Sequence, residues 1–177
     1  LYGVPPLLML TYFSMAYSTY MVVRTLLNKF EVIKGWMIVA ISVLGGLLMT
    51  LADLASDPVN STINRVYIWV DGGVFFGVPY MNFTGWFIET FIFFIAISLI
   101  FAYLTKSPKL SKLPSKKFTF EPIVLFAAPV LPVILHPLWA KDWSSVYEPM
   151  SLIALFGLGF VVVLATTVNF TRLSVKR

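Results

Sequence analysis

Five long apolar runs dominate this chain, at residues 7–27, 36–55, 83–103, 122–139 and 150–170. Each is close to the roughly 20 helical residues needed to cross a hydrocarbon layer about 30 Å thick. Backbone N–H and C=O groups placed in lipid must pair within their own helix or around a closed barrel. A barrel needs short alternating strands, and these runs are continuous. The chain therefore reads as an all-α polytopic membrane bundle with about five transmembrane helices, a single integral membrane domain over residues 1–177. Its 59% hydrophobic and 12% charged residues fall in the same class. Because it starts at Leu1, we expect an incomplete N-terminus, with a further helix upstream.

One stretch breaks this pattern. Between Asp53 and Glu89 the sequence brings in carboxylates, glycines, prolines and large aromatics. Residues 58–82 are too polar and glycine-rich to span, yet too aromatic for a solvated linker, so an interfacial or re-entrant segment is expected between helices 2 and 3. Pro58 marks Asp57 as a helix end. Gly45-Gly46 allows close helix approach in the second span, and Pro129 with Pro132 predicts a kink in the fourth.

The charge pattern gives an orientation. Of 13 Lys and Arg residues, all but Arg65 and Lys141 fall in residues 24–34, residues 105–119 or the tail after Phe170. With those three segments cytoplasmic, the chain is a multi-pass protein of the cell membrane with its C-terminus inside. The net charge of +5 thus sorts by membrane side, not into a nucleic-acid groove. The same topology puts Asp53, Asp57, Asp71, Glu89 and His136 near one membrane boundary. Cysteine is absent, which excludes disulfides and thiol chemistry. With one histidine and no ligand spacing, neither a metal site nor a cofactor is expected.

Asp53 and Asp57 are four residues apart and share a face if the helix persists. Two such carboxyls can divide into acid and base; the competing reading is a solvated helix end. Glu89 sits inside the third span, where a carboxylate costs ~2.5–3.5 kcal/mol on insertion scales. It is either a general acid or a structural partner of Arg65, Lys141 or backbone. Asp71, beside Gly72-Gly73, is a second acid or a turn former. Tyr67, Trp69, Phe75, Phe76, Tyr80, Phe83 and Trp86 form an interfacial belt or, next to a buried acid, a lining that stabilises a cation. Tyr12, Tyr17 and Tyr20 read as packing residues, and His136 as a helix-end hydrogen-bonding residue. Among the Asn-x-Ser/Thr triplets only Asn60 falls in an expected exposed loop.

The run Asp53, Asp57-Pro58, Trp69, Gly73, Phe76-Gly77-Val78-Pro79, Asn82-Phe83 and Gly85-Trp86 resembles the carotenoid biosynthesis membrane protein family, which includes the bacterioruberin-type carotenoid hydratases of archaea and bacteria. The likeness is close over about forty residues. It implies addition of water to the terminal isoprenoid double bond of an acyclic carotenoid, giving a tertiary alcohol without a redox cofactor. On that reading Glu89 or Asp71 donates the proton and Asp53 or Asp57 activates water. Trp69, Phe76, Trp86 and Tyr67 flank the substrate, and Asn82 orients the water. The polyene lies in the room made by Gly45-Gly46 and the kinked fourth span. Two other classes stay open: a non-catalytic subunit binding a carotenoid, quinone or lipid, as a homo-oligomer or within a larger membrane complex, and a small proton-coupled carrier.

Overall fold

The computed structural model describes residues 6–30, 33–104, 115–138 and 145–171. The elements are α1 (Pro6–Leu26), α2 (Trp36–Pro58) continuing as a π-helical turn (Val59–Ile63), α3 (Tyr80–Leu104), α4 (Lys116–Ala127) and α5 (Leu131–Leu135) with a 3-10 turn (His136–Leu138). They are followed by α6 (Tyr147–Ile153), a second π-helical turn (Ala154–Gly159) and α7 (Phe160–Thr171). No strand occurs among the described residues, as an all-α membrane bundle requires. Most of the lysine-rich connection, residues 105–114, the loop carrying Lys141 and Asp142, and the basic tail lie outside the described residues.

Three continuous helices are long and apolar enough to cross a membrane: Trp36–Ile63, Tyr80–Leu104 and Tyr147–Thr171. Among the described residues, three or four of the five expected spans meet that measure, the fourth only if the pair Lys116–Ala127 and Leu131–Leu138, bent by 51°, is taken as one span. The expected kink is therefore present. Pro129 falls in the break and Pro132 in the first turn of α5, where the missing N–H groups leave the helix ladder open. The fourth helix begins at Lys116, six residues before the expected start, because Ser115 caps it by accepting a hydrogen bond from Phe118 N at 3.1 Å.

Helix α1, at 21 residues, is as long as a span but rich in hydroxyls. It packs against α2, α4 and α7, and Ser18, Thr19 and Thr25 are fully buried. Thr25 Oγ1 donates to Met21 O at 2.9 Å and Ser18 Oγ to Met15 O at 3.0 Å within the helix, while Thr19 Oγ1 donates across to Met49 Sδ of α2 at 3.3 Å. Met9, Leu10, Tyr12 and Phe13 in the first half of α1 are exposed, while the second half, from Ser18 to Thr25, is enclosed by protein and does not need the hydropathy of one facing lipid. Around it lies the core, with Val22, Val23, Ile41, Phe94, Ile123, Phe126 and Leu158.

Helix α3 packs principally on α2. A Cβ at Gly45 would stand 2.6 Å from the Phe94 ring, and one at Gly46 would stand 3.1 Å from Phe87. Close approach is thus realised, but phenylalanine rings fill the space, so Gly45-Gly46 leaves no room for a polyene. Pro58 does not end its helix at Asp57. The chain shifts to π register, with Asn64 N donating to Val59 O at 2.8 Å, and the Ser61 hydroxyl donates to the Asp57 carbonyl at 2.8 Å. A proline cannot donate to the ladder, and the wider turn absorbs that loss.

Residues 64–79 form an irregular loop joining the ends of two spans. Phe75 and Val78 exchange backbone hydrogen bonds of 3.2 and 3.0 Å, with Phe76 and Gly77 at positive φ (50° and 86°) between them. A Cβ at Gly73 would collide with the Val78–Pro79 backbone, so only glycine fits there. Val70 and Val74 are 93% and 91% exposed. That exposure, at the end of two membrane helices, matches an interfacial segment and not a re-entrant helix.

Candidate functional site

The site begins with α2. One helical turn separates Asp53 from Asp57, and because the helix continues through Pro58 both carboxyls stay on the face turned to the start of α3. Asn82, in the first turn of α3, donates from Nδ2 to Asp53 Oδ2 at 2.7 Å and to Asp57 Oδ2 at 2.8 Å. One amide thereby clamps two carboxyls. The Tyr67 hydroxyl donates to Asp57 Oδ1, brought there by the loop that the Phe75–Val78 turn folds back. The Trp69 indole lies beside Asp57, its Nε1 buried and short of hydrogen-bond geometry with any described group.

The two acids differ in surroundings. Asp57 is 1% exposed, whereas Asp53 is half-buried and faces a cavity of about 600 Å³. Met15, Met49, Ala52, Val59, Trp86, Val130, Val133, Ala154 and Leu158 give the cavity an apolar wall. Asp53, Ser56, Asn60, Asn64, Tyr67, Tyr12 and His136 add polar points. Among the described residues no lysine or arginine lines it. The kinked α4–α5 pair contributes Pro129, Pro132 and His136, so the bend shapes the far wall. Burial and the adjoining Asp57 carboxyl push the Tyr67 phenol well above its ordinary value, which keeps it a hydrogen-bond donor.

Of the residues singled out in the sequence, Asp53, Asp57, Asn82 and Tyr67 form one hydrogen-bonded cluster, with Trp69 beside it and Trp86 on the cavity wall. Asp71 and Glu89 are not brought to it. Asp71 is exposed on the loop, and Glu89, though on the same stripe of α3 as Asn82 and Trp86, stands about two helical turns beyond Asn82, is exposed and makes no hydrogen bond to the aspartate pair. Phe76 packs edge-on against Phe75, which packs on Phe83, so it serves the loop's turn. Asn82 donates both its hydrogen bonds to carboxyls and so acts as a clamp on the pair.

Tyr12 meets Trp86 edge-to-face at 5.3 Å and is a cavity residue as well as a packing one. His136 stacks on Tyr147 at 3.7 Å and 10°, and its buried Nδ1 has no partner among the described residues, contrary to the expected helix-end hydrogen bond. Asn60 lies half-buried in the π-helical turn on the cavity wall, not in an exposed loop. Among the described residues no three His, Asp or Glu side chains gather as metal ligands.

A helical membrane bundle with paired carboxyls at the wall of a largely apolar cavity defines a class of protein that handles a lipid-soluble molecule. Residues 1–160 match the model of the family described as carotenoid biosynthesis protein, and the chain belongs to that family. Its role accordingly lies in carotenoid biosynthesis, within a membrane. No curated protein and no solved structure matches the chain.

Proposed function

We propose that the protein is a carotenoid hydratase, adding water to the terminal isoprenoid double bond of an acyclic carotenoid to give a tertiary alcohol. The observation that carries this reading is the Asp53–Asp57 pair, clamped by Asn82 at the wall of an apolar cavity. Protonating a trisubstituted alkene creates a tertiary cation, which calls for a desolvated acid, an aromatic or anionic surround and a base for the incoming water. Two carboxyls held this close favour a state with one proton between them, so the pair supplies both an acid and a base. Trp86, Tyr12 and Tyr67 offer aromatic faces on the same wall. Ser56, Asn60 and Asn64 offer polar groups for water. With Glu89 and Asp71 away from the cluster, the acid role passes to the aspartate pair.

Expression in a host that accumulates an acyclic carotenoid with unmodified isoprenoid ends tests the reading. A product heavier by one water, dependent on the chain, is expected. Unaltered pigment co-purifying with folded protein would instead favour a non-catalytic pigment-binding subunit.

A further inference from the structure

We infer that Asp53 alone exchanges protons with the substrate, giving up a proton and taking one back on the same face of the double bond, while Asp57 is a positioning residue behind it. This inference rests on the hydratase reading. The two carboxyls are unequal in their contacts. Asp57 is enclosed, and both its oxygens accept hydrogen bonds, Oδ1 from the Tyr67 hydroxyl and Oδ2 from Asn82. Donors on both oxygens favour the ionised form of a carboxyl over the protonated one. Asp53 faces the cavity; its Oδ2 accepts from Asn82, and its Oδ1 has no partner among the described residues. A proton on that free oxygen is directed at whatever the cavity holds.

The step balances on this one carboxyl. The π pair of the alkene takes the Asp53 proton, forming a C–H bond at the less substituted carbon and a cation at the tertiary carbon. A water oxygen forms the C–O bond from the side of Asp53, now a carboxylate, which receives the water's surplus proton. The enzyme returns to its starting state, and the net change is addition of H and OH across the bond. Asp57 stays an anion throughout, fixing Asn82 and hence the Asp53 rotamer, and its charge favours the cation.

Two consequences separate this arrangement from a two-base mechanism. Addition is syn, because donor and acceptor are the same group. The two aspartates also respond unequally to loss of charge. The full chain in membranes is given an acyclic carotenoid carrying one labelled terminal methyl, in heavy water, and the relative configuration at the two former alkene carbons is read by NMR. Asp53→Asn should lose at least about 1000-fold in hydration. Asp57→Asn should lose about 10- to 100-fold in kcat with KM and syn geometry unchanged. Anti addition would overturn the inference and point to His136, on another wall of the cavity, as the base. Hydration surviving in Asp53→Asn would overturn it equally, and Asp53→Glu with partial activity would support it should the asparagine variant fold poorly. If the unaltered chain forms hydrated product, the hydratase reading stands whichever way these arms fall; if it forms none, both fail.

Discussion

Two polar clusters lie toward opposite ends of this bundle, and they are built differently. At the end of α7, Asn169 is fully buried. Its Oδ1 accepts from Thr119 Oγ1 at 2.5 Å and its Nδ2 donates to Lys116 O at 3.1 Å, while Lys116 Nζ donates to Phe170 O at 2.7 Å. Every group there is neutral or at the rim, each finds a protein partner, and the larger cavity does not touch it. At the other end, Asp53, Asp57, Asn82 and Tyr67 put two acids together, with Asp53 on the wall of a largely apolar cavity. The first cluster ties α4 to α7. The second places Asp53, one of its two carboxyls, on the wall of that cavity, and on the hydratase reading that difference separates a structural knot from a site.

The sharpest way to break the comparison is to remove the clamp. Asn82→Leu leaves two carboxyls without their shared donor and should cost about 100-fold in hydration rate, while the thermal midpoint of the purified protein shows whether it still folds. An unaffected rate would reduce Asn82 to packing. Asn169→Leu should do the reverse. Loss of a buried hydrogen-bonded amide should destabilise by about 1–3 kcal/mol, seen in a denaturation curve, with activity per folded molecule unchanged.

Smaller effects sharpen the picture. Tyr67→Phe removes one donor to Asp57 and should lower the rate about 10-fold, a loss of ~1.4 kcal/mol in the barrier. Tyr67 is also a phenol whose ionisation is pushed upward in the folded protein by burial first and by the Asp57 hydrogen bond second. Its stabilisation is therefore complete below the ordinary tyrosine value of about 10 and declines as pH rises beyond it, since the unfolded chain loses that proton first. An alkaline absorbance titration should show a late-titrating tyrosine that is missing in Tyr67→Phe. Glu89→Gln should change hydration by less than about 2-fold, a bound set by the small effects of substitutions away from such features. A large loss would return Glu89 to the site.

The Asp53–Asp57 pairing was legible from spacing alone, since four residues make one helical turn. That Tyr67 and Asn82 belong with it was readable only as neighbourhood in the sequence. Their roles as hydrogen-bond donors to Asp57 were not, because the fold of residues 64–79 depends on the Phe75–Val78 turn and on Gly73 lying against backbone. Glu89 misleads for a related reason. An acid inside an apolar run marks a costly position whether or not it meets a partner. Glu89, about 10 Å along the helix axis beyond Asn82, is too far down the same stripe to join the aspartates once Phe94 and Phe87 seat α3 in the Gly45-Gly46 groove.

By itself, the sequence determined that the chain is a helical membrane bundle, because apolar length and the need to pair backbone groups in lipid leave few alternatives. It also determined the kink in the fourth span, since two prolines remove donors wherever they fall in a helix. Only the tertiary structure decided which acids meet. Contacts between α2, the 64–79 loop and α3 join residues up to 29 positions apart, and such pairings are fixed by packing between helices, which no local pattern of residues specifies.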